Sequence, residues 1–360
     1  MKIGIITFHF ARNYGATLQA YGLQEYLKTL GHDVYMIDYR PQYLLKHFQR
    51  DSVRMWLSKN PYMCIKRWWS YMRTRKIRHQ RHDGFVSFVN HYQRLYPYRN
   101  DEDFHSFDAV FIGSDQVWSP LHTGGQYDDV MFGTGFKCKA ISYAPSCSQA
   151  CLSYDQRDYL RNHLDNLYAI SVREQHFKEI LQPLTGKNIH VVVDPSLLAG
   201  RHIFEKIATP IKRTKPYVLI YEIVPHQQVR RIAWEIAAQL NADVIELTNG
   251  MLGYHLKNMD EGASPEKFLG YIKEASCVVT TSFHGTAFSL LFQTSFYMVK
   301  QNSSVDDRMN NLLKMLELRE RMISMDAKVN FEKIDFMPVI PRLEEYRHNS
   351  ISFIEESLNE

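Results

Sequence analysis

The chain is short of cysteine: five among 360 residues (Cys64, Cys138, Cys147, Cys151 and Cys277), an odd number without a CxxC pair. That count and spacing fit neither a disulfide framework nor a structural zinc site, and they do fit a reducing cytoplasm. Long apolar runs are missing too; none approaches the ~18 residues that a bilayer-spanning helix needs. The opening stretch 1–9 has no small-residue cleavage site and reads as a first strand, not a signal peptide. No Walker A loop, HExxH pair, GxSxG elbow or acidic metal cluster occurs, so neither a metal nor a redox cofactor is expected. Low-complexity segments and short-period repeats are also absent.

What remains is an ordinary globular composition, 45% apolar and 23% charged, which excludes disordered, collagenous and membrane-spanning classes. Its length predicts two domains at roughly 150 residues each. The net charge of +4 conceals an asymmetry. Between Gln42 and His82 stand eleven Lys or Arg residues (Lys46, Arg50, Arg54, Lys59, Lys66, Arg67, Arg73, Arg75, Lys76, Arg78 and Arg81) against a single acid, Asp51. Trp56, Trp68, Trp69, Tyr62 and Tyr71 interleave with them. Such an insertion suits either an anionic membrane surface or a helix whose Lys and Arg stems cover apolar neighbours, with no call for nucleic acid.

Short apolar runs at 3–8, 34–39, 107–113, 139–143, 169–172 and 190–194 alternate with helical patterns or loops, and each ends in a small or polar residue. After a linker around Pro210 and Pro216, a second series follows, with strands at 217–221, 243–247, 277–281 and 296–299. Strand–helix alternation predicts parallel sheets. The fold expectation is therefore α/β, with two doubly wound Rossmann-like lobes facing across a cleft. The N-terminal lobe is placed at 1–200, with the insertion at about 42–100. The C-terminal lobe is placed at 215–340, and a helix at 341–360 packs back toward the first lobe.

Ligands of open parallel sheets gather at the carboxyl ends of strands, and three such ends carry chemistry. Ser282-Phe283-His284-Gly285-Thr286 ends a strand and opens a helix, so unpaired backbone N–H groups and an acid–base side chain coincide there. His284 also reads as a helix cap or a satisfied core histidine. Arg173 ends the strand Ile170-Ser171-Val172 and suits bidentate binding of a carboxylate or phosphate; the alternative is an ion pair with Glu174. Asp115 and Trp118 follow Gly113-Ser114, where they suit a sugar hydroxyl and a sugar face, or equally an Asx-turn and a core tryptophan. The single-glycine loop Asn13-Tyr14-Gly15-Ala16 is by itself weak evidence for phosphate binding, and Arg308 is either an anion clamp or a surface ion pair.

Taken together, the ordered segments Asn13-Tyr14-Gly15-Ala16, Gly113-Ser114-Asp115-Gln116-Val117-Trp118, Ser171-Val172-Arg173-Glu174, Asp194-Pro195, Ser264-Pro265-Glu266, Ser282-Phe283-His284-Gly285 and Arg308 with Leu312-Leu313 resemble the polysaccharide pyruvyl transferase family. The resemblance spans roughly 3–325. It implies a GT-B-like fold and transfer of pyruvate from phosphoenolpyruvate, as co-substrate, to a sugar of a capsule or exopolysaccharide, usually as a cyclic ketal. It implies His284 as the active-site histidine and Arg173 as a donor-binding arginine. Some members carry another arginine where this chain has Ser282, so Arg308, Lys300 and the backbone of Gly285 and Thr286 become the substitutes on the donor side. Asn13, Tyr14, Gly15 and Trp118 are assigned to the acceptor, and Asp115 to removal of a hydroxyl proton. A lipid-linked acceptor would place the enzyme at the inner face of the cytoplasmic membrane. The competing readings are a GT-B glycosyltransferase using a nucleotide sugar and a non-catalytic carbohydrate-binding protein of the same fold.

Overall fold

The computed structural model describes residues 1–43, 61–123, 125–147, 151–248, 258–301 and 304–359. Two all-parallel sheets organise them. The first holds β1 (Lys2–Ile6), β2 (Asp33–Ile37), β3 (Leu95–Tyr96), β4 (Ala109–Ile112), β5 (Lys139–Ser142), β6 (Ala169–Val172) and β7 (Ile189–Val191), in the order 3-2-1-4-5-6-7. The second holds β8 (Tyr217–Glu222), β9 (Asp243–Thr248), β10 (Cys277–Thr280), β11 (Phe296–Val299) and β12 (Met322–Ile323), in the order 12-11-10-8-9. Both are doubly wound Rossmann-like lobes, with strand order reversing between β1 and β4 in one and between β8 and β10 in the other. Ligands of such sheets bind at those reversals, outside the carboxyl ends of the strands.

Central strands covered on both faces must be apolar throughout. All four residues of β4 and all six of β8, including Glu222, are accordingly buried. Helix starts are written locally. Asn13 caps the Tyr14–Thr29 helix, Ser153 and Gln156 form a capping box, and Asp194-Pro195 and Ser264-Pro265 put a cap and a proline at successive positions. The edge strands β3 and β12 are two residues each, too short for any periodicity to register.

The lobes share one apolar core. Leu18, Tyr21 and Phe88 of the first lobe belong to the same buried cluster as Phe268, Phe288 and Leu291 of the second. The Pro61–Tyr92 helix joins it through Phe85 and Phe88, while its buried Arg81 donates to the Tyr14 hydroxyl (2.9 Å) and the Glu261 carbonyl (3.3 Å). This half of the basic insertion is a strut between the lobes. Lys46, Arg50, Arg54, Trp56 and Lys59, and the side chains of Lys66, Arg67 and Arg73, lie outside the described residues.

The C-terminal helix Val339–Asn359 lies on the first lobe: Ser350 Oγ accepts from Val193 N–H (2.8 Å), and the Lys139 ammonium reaches the Ser357 and Leu358 carbonyls. Among the described residues, no helix is long and apolar enough to cross a membrane.

Candidate active site

Asp194 is the centre of the arrangement, and it was not among the residues singled out from the sequence as functional. The strand–Asp–Pro signature that could have found it was legible. Asp194 caps the Pro195–Ala199 helix by accepting from Ser196 N–H (2.8 Å) with Oδ1. Its Oδ2 accepts from Arg173 Nη1 (2.7 Å) and from Ser114 Oγ (3.5 Å) and lies 3.6 Å from His284 Nε2. Strand ends of the first lobe, at β4, β6 and β7, thus meet the β10 end of the second lobe on one carboxylate. Burial alone would raise the Asp194 pKa; His284, Arg173 and the Ser196 N–H outweigh it and hold the carboxyl well below its ordinary range.

His284 is held from two sides. Its Nε2 faces Asp194, is shielded from solvent and has no hydrogen-bond partner among the described residues. Its other edge rests on the backbone of Gly15. A Cβ at Gly15 would lie 2.5 Å from Cγ and Cε1 of the imidazole. Gly15→Ala would normally favour a helix, but here it must push the imidazole off Asp194. We expect it to cut turnover by about 100-fold, the lower range for losing a positioned acid–base group, with the circular-dichroism spectrum unchanged.

Arg173 is buried, and its guanidinium fork is already engaged. Nη1 binds Asp194, Nε binds Glu174 Oε1 (3.2 Å), and the plane lies over the Phe283 ring (5.1 Å). Burial works against its charge, but Glu174, Asp194 and Asp115 prevail and raise its pKa above the ordinary arginine value. The open bidentate clamp is therefore corrected: the two carboxylates take the fork, leaving Nη2 as the end without a protein acceptor among the described residues. Asp115 stands half-buried within reach of this charge in the left-handed region (φ 70°), its Oδ1 accepting from Gln116 N–H (2.9 Å). Such a conformation costs a non-glycine residue free energy and concentrates at functional sites.

Several other assignments are corrected. Trp118 is fully buried, stacked on Phe132 (4.9 Å) with Nε1 donating to the Met131 carbonyl (2.7 Å), so it is a core residue and presents no face to a sugar. Tyr14 is fully buried between the lobes, stacked on Phe268 (4.4 Å) and donating to the Ala263 carbonyl (2.8 Å). The side chain of Asn13 turns onto its own helix, accepting from Gly15 N–H (2.9 Å) and Ala16 N–H (3.4 Å). Gly285 is glycine because a Cβ would meet Thr280 Oγ1 and the Tyr221 ring, not to admit an anion. The Thr286 N–H already donates to the Ser282 carbonyl (3.2 Å). Ser282 is buried at the N-cap of the Phe283–Phe292 helix but makes no side-chain capping bond. That leaves the first turn's N–H groups uncapped. Lys300 is exposed at the end of β11, and the Arg308 side chain lies outside the described residues.

A cavity of about 40 Å³ adjoins the Asp194 cluster, lined by Arg173, Glu174, Asp194, Phe283, Asn311 and Tyr346 among others. It brings both lobes and the C-terminal helix to the edge of the site and has room for ordered water. Among the described residues, no group of three or more His, Cys, Asp or Glu is placed to hold a metal ion.

The sequence model of the polysaccharide pyruvyl transferase family matches residues 13–303, a span that contains Gly15, Asp115, Arg173, Asp194 and His284. The chain belongs to that family. Membership implies a transferase acting on polysaccharide. No curated protein matches it significantly. Among solved structures it is similar to the UDP-GlcNAc 2-epimerase of Methanocaldococcus jannaschii (12% identity, 100% of this chain and 93% of that one, TM-score 0.44). It is also similar to the glycosyltransferase SnogD from Streptomyces nogalater (11%, 99% and 97%, TM-score 0.42) and to the UDP-N-acetylglucosamine 2-epimerase of Rickettsia bellii (10%, 99% and 96%, TM-score 0.44).

At the strand-order reversal of the second lobe, the chain also buries Glu222, whose Oε2 accepts from His226 N–H (3.1 Å) and lies 2.9 Å from His226 Nδ1. Burial pushes this carboxyl up from 4.5 to about 7, helped by Glu246 and opposed by His226. Between those values the folded state holds a proton that the unfolded chain has lost, so stability falls as pH rises through that window. Glu222→Gln removes the penalty. We expect it to stabilise the protein by up to about 3 kcal/mol at pH 8 and by nothing near pH 4.5, read from urea unfolding at both pH values.

Proposed function

We propose that this transferase moves the pyruvyl group of phosphoenolpyruvate onto a sugar of a cell-surface polysaccharide or its lipid-linked precursor, closing a ketal across two hydroxyls. The supporting observation is the buried, unpartnered His284 Nε2 beside Asp194 at the start of an uncapped helix, where acid–base chemistry and anion binding coincide. Phosphoenolpyruvate brings a carboxylate, a phosphate and a nucleophilic methylene. The helix N–H groups and Arg173 Nη2 meet its anionic groups, with Lys300 and Arg308 as further cations on the second lobe. Protonated His284 delivers its proton to the methylene carbon, leaving an oxocarbenium-like centre at C2. A sugar hydroxyl adds there as Asp115 takes its proton. The C2–O bond to phosphate then breaks, the departing phosphate taking the proton held by Asp115, and the second hydroxyl adds at C2 and gives its proton to His284 to close the ring. The products are the ketal and inorganic phosphate.

The test is incubation with phosphoenolpyruvate and galactose-, mannose- and glucose-containing acceptors, scoring phosphate release and product mass. Ketal formation adds about 70 Da, whereas hexose transfer from a nucleotide sugar adds about 162 Da and would favour the glycosyltransferase reading. Absence of turnover with either donor class would favour a non-catalytic carbohydrate-binding protein.

We place the enzyme peripherally at the cytoplasmic membrane face. Tyr62 (71% exposed), Ile65, Trp69 (59% exposed) and Met72 recur at helical spacing on the solvent side of the Pro61–Tyr92 helix, beside exposed Trp68, Arg75 and Lys76. Aromatic side chains among basic ones suit an anionic lipid surface. Trp68→Ser with Trp69→Ser should reduce co-sedimentation with phosphatidylglycerol-containing vesicles; unchanged sedimentation, or none by the parent, removes the membrane assignment.

A further inference from the structure

A groove of about 710 Å³ opens on the carboxyl edge of the first lobe's sheet, away from the Asp194 cluster. Its walls come from the segment after β2, from Thr123 and residues 126–129, and from the Tyr154–His163 helix. Four tyrosines line it: Tyr39, Tyr43, Tyr127 and Tyr159. Their rings are held in place. Tyr39 and Tyr43 both donate to Asp128 Oδ2 (2.8 and 2.6 Å), Tyr159 donates to Asp129, and Tyr127 stacks on Tyr159 with centroids 4.8 Å apart. Tyr159 is backed in turn by the His163 ring at 3.8 Å. The Tyr127 hydroxyl is buried without a hydrogen-bond partner among the described residues. Among the described residues, the charged members of the lining are Asp128, Asp129 and Asp155, with no Lys or Arg.

This chemistry selects against phosphates, nucleotides and phosphoenolpyruvate, because anions would meet three carboxylates and no cation of the described lining. It suits a neutral, hydroxyl-rich ligand. Tyrosine rings offer flat apolar faces with polar tips, and carboxylates accept hydroxyl protons in short, strong hydrogen bonds. The groove is too long and open for a compact ammonium cage and has the size of an ordinary ligand site. It is tied to the candidate active site along the chain. One segment begins with Ser114 and Asp115 at the Asp194 cluster and reaches Tyr127, Asp128 and Asp129 in the groove. Asp38, the neighbour of Tyr39 in sequence, lies 3.1 Å from His9 just beyond β1.

We propose that this tyrosine–aspartate groove binds neutral sugar residues of the polysaccharide, a subsite that holds the acceptor chain at a distance from the reacting hydroxyls. Its role as an acceptor subsite rests on the pyruvyl-transfer reading; its affinity for glycan does not. The chain crosses the carboxyl edge of the first lobe, and the sugar that reacts lies at the β1–β4 reversal.

The experiment titrates the intact protein, without phosphoenolpyruvate, with neutral hexasaccharides of glucose, galactose and mannose, with hexagalacturonate and with choline, by isothermal calorimetry. At least one neutral hexasaccharide should bind, and hexagalacturonate and choline should not. Tyr159→Ala removes the ring on which Tyr127 stacks, freeing the Tyr127 face from its fixed position, and should weaken binding about tenfold, the magnitude of one lost aromatic contact, whereas Tyr159→Phe should stay near the parent. Because Tyr159 also packs within the lobe, Asp155→Arg at the exposed rim serves as an independent block and should weaken binding by a similar factor. With turnover established, both variants should raise the acceptor KM and leave the phosphoenolpyruvate KM unchanged. The proposal is overturned if no neutral glycan binds, if choline or hexagalacturonate binds instead, or if a folded Asp155→Arg protein binds glycan as the parent does. A parent that binds glycan but releases no phosphate keeps the groove and overturns the pyruvyl-transfer reading alone.

Discussion

His284→Gln is expected to lower phosphate release from phosphoenolpyruvate by about 10²- to 10⁴-fold, the contribution of a positioned acid–base group, while thermal unfolding stays close to that of the parent. Glutamine is flexible enough to lie beside Gly15 and leaves Asp194 its bonds to Arg173 and Ser196, so the packing that surrounds the imidazole is largely kept. What disappears is a group able to carry a proton between Asp194 and the methylene carbon. The loss should fall on kcat. If His284 only helped to neutralise the donor, the change would appear in the phosphoenolpyruvate KM with kcat preserved, and a folded variant with near-parental kcat ends the acid role.

The second large effect is expected at Asp194, and it should couple stability to activity. Asp194→Ala leaves the buried Arg173 with Glu174 as its remaining partner and uncaps the Pro195–Ala199 helix. Breaking a buried pair by deleting one side costs about 3–5 kcal/mol, so the unfolding midpoint should fall sharply and turnover should be lost. Asp194→Asn is the control that keeps the shape. It retains an acceptor for Ser196 N–H but no charge, so the fold should persist while turnover drops. The pH dependence separates the two roles. A carboxyl held below its ordinary pKa contributes stability that is full above the unfolded value of about 3.8 and is lost as pH falls toward the folded one. The parent should therefore lose stability on acidification below about pH 4, and Asp194→Asn should lack that component; identical acid limbs would show that Asp194 carries no net electrostatic stabilisation.

These expectations also revise the part assigned to Arg173. An arginine at a strand end suggested an open fork for the donor, yet the two acceptors nearest to it are protein carboxylates, one adjacent in sequence and the other following β7. Its first task is to fix Asp194, and through it His284. The glycine of the Asn13–Ala16 loop is revised in the same way. Its lack of a side chain serves the imidazole that leans on it from the other lobe rather than a phosphate.

The sequence by itself determined the elements and the chemistry available at their ends. Apolar runs marked the ten longer strands, because a parallel strand buried on both faces has no polar alternation to confuse the signal. The caps found at Asn13, Ser153, Asp194-Pro195 and Ser264-Pro265 are local features of the same kind, since a cap and its first turn lie within a few residues of one another. His284 at a helix start was legible for the same local reason. Only the tertiary structure decided which of those ends meet. Gly15 and His284, or Tyr14 and Phe268, come into contact because two lobes close on a common core. Trp118 and Asp115, three positions apart, part company there, one into the core of the first lobe and the other to the Arg173–Asp194 charges. The physical reason is range: propensity, capping and hydrophobic period act over a few residues. The partners of a buried charge are set instead by the packing of strands whose sequence separation carries no pattern.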